Sequence, residues 1–546
     1  RARARAPAPA ALRMSAAEEG PMKKMQGLMP KPAGDPRLGA NGKLLDWLDE
    51  GDVYVSELSD WGQAPHPLAI SVETIDQDNA EPSGRGLLAR REINEGEEML
   101  VLPFKLCMTK EGAVEAFGGE ESRLGAAVGE LDDYLALALF LLNERERGDE
   151  SFWAPYYAVL PSLQEVNPTF AWDESSLEAL EGSPLLASTR SMQGKLTREW
   201  EALQSTIFPL APEKFPEEAF NYDLFVWAFA MLFSRAVRIR SLERGETLAL
   251  VPYADLINHS PFSNAFIDGR SPSGLDKVFN LKEDEVVLYA DRSYKRMEQV
   301  VISYGQKSNA ELLLLYGFAL DRNPFNSVDV GVALLDKTAA ENEEGLDDID
   351  KQLLEAKRIF LDVRNRQDEA AFPVYADRYP EELLEYLRLL VLSSEDFAGA
   401  LAQRQRLQEA SVSDQLRRAA TMLVEDTTKA DEPARGGAAT VTASRDSLAG
   451  MDAKAMALAL GNIDFREYIS RDNEEGALAA LKSTAEAAVE RYPTTEAQDQ
   501  ALMEDGFMFR TLPREVRMSI RHRRAEKSIL RRTIAVVEKD LARMRS

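Results

Sequence analysis

The feature that most limits the fold of this chain is that its strand-like pattern is split. Short apolar runs with turn-like breaks occur at Leu87-Leu88-Ala89 and Met99-Leu100-Val101-Leu102, and with Asn94-Glu95-Gly96 between them they read as a strand pair. Strand-like runs return only at 248–252, 278–290 and 299–303. The intervening 108–245 reads as a helical insertion. Asp132 and Asp133, an apolar middle and Gly148 describe a helix over 131–147, and further helices are expected at 174–205 and 216–240. One strand-rich core must therefore be closed by segments far apart in the chain.

Beyond this core the pattern changes again. Ser308 and Glu311 before Leu312-Leu313-Leu314-Leu315 predict a capping box, Gly317 ends that helix, and Tyr316 falls at its C-terminal end. After Pro324 the apolar residues recur at three-to-four spacing over 351–367, 380–393, 397–424, 450–460, 473–491 and 513–543. An acidic stretch at 342–350 and a Gly/Ala/Thr-rich stretch at 431–450 interrupt them. No fixed-period repeat is present, which argues against a solenoid.

With 546 residues the chain is long enough for two or three domains. A formal charge of -27 opposes binding to nucleic acid and anionic lipid and favours basic protein segments. One cysteine, Cys107, excludes intramolecular disulfides and Cys-rich zinc clusters, and three scattered histidines (His66, His259, His522) offer no metal site. The longest apolar run, Tyr134 to Leu142, is too short to span a bilayer. The basic segment 514–546 has apolar spacing at Val516, Ile520, Ile529, Ile534 and Val537, so it reads as a packed amphipathic helix. The Arg/Ala-rich, acid-poor start has the composition of an organelle transit peptide, and equally of a disordered tail.

Three polar motifs can carry chemistry. Gly84-Arg85-Gly86 precedes a strand and not a helix, so it does not suit a dinucleotide turn, but its glycines allow a ligand close to the backbone. Asn258-His259-Ser260 in isolation is an ordinary polar loop. A nucleophilic triad of Ser260 or Ser234 with His259 and Asp255 lacks the Gly-x-Ser-x-Gly elbow. Tyr304 and Tyr316, taken without context, read as core residues sooner than catalytic ones.

Taken together, Gly84-Arg85-Gly86, the string Val251-Pro252-Tyr253-Ala254-Asp255-Leu256-Ile257-Asn258-His259-Ser260 and Ile302-Ser303-Tyr304-Gly305 resemble the split core of SET-domain protein methyltransferases. Phe152-Trp153-Ala154-Pro155-Tyr156, Ser234-Arg235-Ala236 and Tyr316-Gly317-Phe318 are similar to the plant Rubisco large-subunit methyltransferase group. Tyr386-Leu387-Arg388-Leu389, Ser470-Arg471-Asp472-Asn473 and Tyr492-Pro493-Thr494-Thr495 resemble its second domain.

The resemblance implies an α+β fold. A strand-rich SET core with a pseudoknot is expected at 66–320, its helical insertion at about 108–245, and an all-α substrate-binding domain at 325–546, after a disordered or transit-like segment 1–40. It implies S-adenosylmethionine as methyl donor, no metal, and lysine N-methylation of a protein, with a Rubisco large subunit or aldolase in the chloroplast stroma as the leading substrate. A nuclear or cytosolic target is the alternative, and a non-catalytic partner-binding scaffold is the reading of another class. Gly84, Arg85, Gly86, Arg235, Asn258, His259 and Tyr316 are the implied donor-binding residues, with Arg235 reaching the donor carboxylate. Tyr304 and Tyr316 are implied to be catalytic, and Asp255, Val237 and Tyr304 to face the substrate. Val237 stands where actin-histidine methyltransferases of this group have a polar residue, which favours lysine.

Overall fold

The strands of the first half find their partners in the second. A computed structural model of the chain describes residues 35–51, 67–75, 81–241, 245–271, 284–333, 346–363, 369–406 and 444–545. The transit-like start, His66, and most of the expected interruptions near 342–350 and 431–450 lie outside these residues. Strands β1 (Leu68–Ile75) and β2 (Pro82–Ala89) form an antiparallel hairpin, β3 is Glu98–Pro103 and β4 is Met108–Thr109. The later strands are β5 (Val237–Ser241), β6 (Gly245–Leu250), β7 (Asn258–His259), β8 (Asp268–Arg270), β9 (Glu285–Tyr289) and β10 (Gln299–Ile302). Three small sheets result, ordered β1-β2-β10-β7, β3-β9-β8 and β4-β6-β5.

The runs 87–89 and 99–102 are both strands, but they do not pair with each other as expected. Gly96, at φ 79°, turns the chain into a different sheet, and each run pairs with the later half instead: Leu88 with Gln299, and Val101 with Val287. Met99, Leu100 and Leu102 are fully buried, so β3 needs cover on both faces, which a lone hairpin cannot give.

The insertion is mostly helical. Helix α1 (Pro36–Glu50) precedes the sheets, and α2 (Asp133–Arg147), α3 (Pro184–Thr206) and α4 (Tyr222–Arg235) form the bulk between β4 and β5. Asp132 caps α2 by accepting from Tyr134 and Leu135 amides, and eight apolar side chains from Leu135 to Leu142 are buried, so this helix is enclosed on every side. Two expected boundaries shift. Gly182, at φ 86°, and Pro184 break the run 174–205, and the run 216–240 stops being helical at Arg235. Val237 and Ile239 then alternate with exposed arginines as strand β5, which β-branched residues favour.

After α5 (Asn309–Tyr316), whose expected capping box is present with Gly317 left-handed at φ 74°, comes the C-terminal lobe. It is helical, with α6 (Asp348–Val363), α7 (Glu381–Leu390), α8 (Ala453–Leu460), α9 (Arg471–Glu490), α10 (Glu496–Glu504) and α11 (Arg514–Arg545). It is not all-α, however. Strands β11 (Ser327–Ala333) and β12 (Glu369–Tyr375) pair antiparallel over seven residues, and Val328, Val330 and Val332 are buried at the period of two that marks a strand. One apolar core runs from Leu44 to Ile302, a second from Val328 to Leu541. A seam between them holds Trp172, Leu177, Leu180, Leu185, Leu313, Ala319 and Met518. Helix α11 buries Met518, Ile520, Ile529, Leu530 and Val537, in keeping with a packed amphipathic helix. Among the described residues no helix is long and apolar enough to cross a membrane.

Candidate active site

Strand β7 lies parallel to β10, with Asn258 beside Val301 and His259 beside Ile302, while β10 runs antiparallel to β2. This crossing brings the three motifs together. Gly84-Arg85-Gly86 does not precede the strand as expected but lies inside β2, at an irregularity in its pairing with β1, and Gly84 needs its glycine because φ is 71°. Gly86 needs it for space: a Cβ there would sit 2.7 Å from the Asn258 Nδ2 atom and from a Thr74 methyl. Asn258 Nδ2 donates to Thr74 Oγ1 at 2.9 Å and to the Arg85 carbonyl at 3.3 Å, and the Thr74 hydroxyl donates to the Gly84 carbonyl at 3.0 Å. The Asn258 side chain therefore holds the Gly84–Gly86 stretch in place.

The tyrosines form an aromatic column. Tyr304 stacks on His259 with ring centroids 5.0 Å apart and on Tyr316 at 5.1 Å, and Phe318 borders both His259 and Tyr316. The Tyr304 hydroxyl donates to the Ile257 carbonyl at 2.7 Å, and its amide donates to His259 Nδ1 at 3.1 Å. The Ile302 carbonyl also lies 3.3 Å from Nδ1. Since an amide can only donate, Nδ1 carries the lone pair and the proton sits on Nε2. Burial pulls His259 down to about 4, so the ring is neutral near pH 7. Burial also raises both tyrosines, Tyr316 to about 12, and both hydroxyls keep their protons.

Beneath this column lies a buried ion pair. Arg235, at the C-terminal end of α4, donates through Nη1 to the Asp255 carbonyl at 3.1 Å and to its Oδ2 at 3.2 Å. The fully buried Tyr156 donates to the same Oδ2 at 2.7 Å. Burial raises the Asp255 carboxyl, opposed by the Arg235 guanidinium and the Tyr156 hydroxyl. Two atoms of the pair, Arg235 Nε and Asp255 Oδ1, are buried without a hydrogen-bond partner. Each such atom costs about 1–3 kcal/mol, and the arrangement is expected where a ligand completes it. Tyr253 precedes the pair, fully buried and at φ 72°, a conformation costly for an aromatic residue.

Two predicted residues stand apart from this cluster. Arg85 turns its guanidinium to Asn41 Oδ1 (3.1 Å) and the Val159 carbonyl (2.9 Å), joining α1 to the core, so that only its backbone faces the Asn258 motif. Val237 is half-buried at the start of β5, in register with Ala249. Sequence reasoning missed Thr74, Tyr156 as the partner of Asp255, and the strain at Tyr253. Tyr156 was visible only as part of an aromatic string, and Thr74 carried no signal at all. Among the described residues no group of three or more His, Cys, Asp or Glu could hold a metal ion.

The SET domain model matches residues 84–305, the span that contains every residue of this cluster except Thr74, Tyr316 and Phe318, and the Rubisco LSMT substrate-binding model matches 348–431 and 446–530. The chain carries a match to a SET domain followed by a match to a Rubisco LSMT substrate-binding domain. A chloroplastic fructose-bisphosphate aldolase lysine N-methyltransferase of Arabidopsis thaliana is 31% identical over 60% of this chain and 62% of its own length. The Rubisco large-subunit N-methyltransferase of Pisum sativum is 32% identical over 64% and 63%. An actin-histidine N-methyltransferase of Gallus gallus is 31% identical over 54% and 48%. The chain thus spans less than two thirds of the length of these curated relatives. Among solved structures, the SET domain of LSMT bound to lysine and AdoHcy superposes with a TM-score of 0.63 at 26% identity, over 93% of this chain and 92% of that one. Rubisco LSMT bound to AdoMet superposes at 0.60 and 25% identity. The β7–β10–β2 crossing lies within the SET match, and the match to the second domain begins at residue 348.

Proposed function

We propose that the chain is an S-adenosylmethionine-dependent protein-lysine N-methyltransferase. The observation that carries this reading is the Tyr304 hydroxyl, fixed by donation to the Ile257 carbonyl inside an aromatic column. With its proton directed to Ile257, the phenol oxygen keeps lone pairs for an incoming amine N–H, and the Ile257 carbonyl offers a second acceptor beside it. Two such acceptors orient a neutral amine so that its lone pair points along one direction, and the surrounding rings exclude water. Loss of the lysine proton is easier there, since burial disfavours the ammonium.

Arg235 suits the carboxylate of an amino-acid moiety, with Nε unpartnered, and the open space beside Gly84 leaves its turn free to approach a ligand. Asn258, His259 and Tyr316 complete the residues that would hold the donor, and Arg85 enters through its backbone. When bound, the donor's sulfonium supplies an electrophilic methyl group. Asp255 acts by fixing Arg235. The substrate is a protein, recognised in part by the C-terminal lobe, and the chloroplastic relatives support a stromal enzyme such as Rubisco or aldolase as the target. Incubation with isotope-labelled methyl donor and each purified candidate, followed by peptide mass spectrometry, tests it. Label on a lysine supports the reading, and label only on histidine, or none on any protein, overturns it.

A further inference from the structure

Helix α11 belongs to the C-terminal lobe, yet its first two turns reach both flanks of the candidate site. Arg514, Arg517 and Arg521 are spaced three and four residues apart and so share one face. Arg517 grips Glu81 with Nη2 at 3.0 Å and Nε at 3.3 Å, and Arg521 adds a contact to the same carboxylate at 3.4 Å. Glu81 immediately precedes β2 and stands three residues before Gly84. Arg521 also holds Asp321 at 2.7 Å. On the other flank, Arg514 donates to the Gly317 carbonyl at 3.2 Å and to the Glu165 carbonyl at 2.9 Å. Gly317 directly follows Tyr316, and a Cβ there would come within 1.9 Å of the Val166 carbonyl oxygen, so this corner is fixed tightly. Asn167 of the same loop donates to Glu515 at 2.7 Å.

These ion pairs are not loose surface contacts. The Arg517, Arg521 and Glu81 side chains are only 17%, 9% and 20% exposed. Two guanidinium groups converging on one carboxylate hold it in position more firmly than a single flexible pair does. The entry to the glycine turn and the residue after Tyr316 are far apart in sequence and share no sheet, and α11 is bonded to both.

We propose that Arg514, Arg517 and Arg521 are positioning residues for the methyl-donor site, so that the helical lobe sets the geometry of the Gly84–Gly86 turn without touching a reactant. The proposal rests on the donor pocket inferred above. The consequence is that donor affinity, and not only protein-substrate binding, depends on α11.

The test uses the full chain with Arg517→Ala, Arg517→Lys and Glu81→Gln, each assayed for S-adenosylhomocysteine binding by calorimetry and for amide hydrogen exchange over 81–88 without ligand. Arg517→Ala and Glu81→Gln are expected to weaken binding by roughly 2- to 30-fold and to speed exchange in the turn, with Arg517→Lys intermediate in both. Unchanged affinity and unchanged exchange in variants that remain folded would overturn the proposal and leave the donor pocket standing. A parent chain that binds no donor while the variants still exchange faster would overturn the donor-site role, and the pocket assignment with it. Should the alanine variant fail to fold, Arg517→Lys and Glu81→Gln carry the same comparison.

Discussion

Arg388 in the C-terminal lobe and Arg235 in the SET lobe are both largely buried arginines facing a carboxylate, and they are served very differently. Arg388 donates from Nε and Nη2 to Glu474 and from Nη1 to the Phe465 and Arg466 carbonyls, so all three nitrogens are engaged. Arg235 engages Asp255 through Nη1 alone and leaves Nε buried without a partner. The first arrangement is complete within the protein and fastens α7 to α9. The second is incomplete, and the missing partner is what a ligand carboxylate would supply. Burial and charge alone do not separate a structural arginine from a binding one.

The largest effect expected from this contrast is on stability. Arg388→Ala should cost about 3–5 kcal/mol, the range for breaking a buried pair, visible as a lower midpoint in denaturant while donor affinity per folded molecule stays near that of the parent. Tyr304→Phe should do the reverse. Deleting the hydroxyl is expected to slow single-turnover methyl transfer by about 2–4 kcal/mol, on the order of a hundredfold, with little change in melting temperature. Wild-type turnover would remove Tyr304 from the chemistry.

Arg235→Ala sharpens the comparison directly. Donor binding by calorimetry should weaken by about 1.5–3 kcal/mol, as for a hydrogen bond to a charged group. Affinity equal to the parent would make Arg235 as structural as Arg388.

The smallest effect is on pH dependence. His259 titrates at about 4 in the folded chain, below the ordinary histidine value. The unfolded chain therefore binds more protons between these values, and the neutral ring's contribution is present above the ordinary value and lost as the pH falls toward 4. From pH 7 to 5.5 the parent should lose about 1 kcal/mol more than His259→Asn, measured by denaturant unfolding at each pH.

Much of the site was legible in the sequence, because its chemistry is tied to motifs with unusual residues. Gly84, Gly86, Asn258, His259, Tyr304 and Tyr316 lie within the two groupings described, the glycine turn with Asn258 and the aromatic column. What stayed hidden were the partners of ordinary type. Thr74 orients Asn258, and nothing in a β-branched residue of a half-buried strand announces that. The helical lobe was legible from its spacing, whereas β11 and β12 were not. Their short alternating runs lie among long helical periodicities and pair across a separation that local pattern cannot reveal. The partner of the Arg85 side chain was hidden for a related reason: α1, far upstream, brings Asn41 to its guanidinium.

The crossing of β2, β10 and β7 also fixes when the site can come into being. Leu87 pairs with Val300, so the central sheet stays open until nearly the whole SET core has left the ribosome. At about 5–20 residues per second, the interval between the two strands is on the order of ten to forty seconds. Through that time β2 is bonded to β1 on one edge and presents bare amides and carbonyls on the other. A nascent chain of this kind carries a sticky strand edge for longer than a hairpin protein does. The β2–β10 pairing, the Asn258 clamp and the tyrosine column then appear together, as one late event of synthesis.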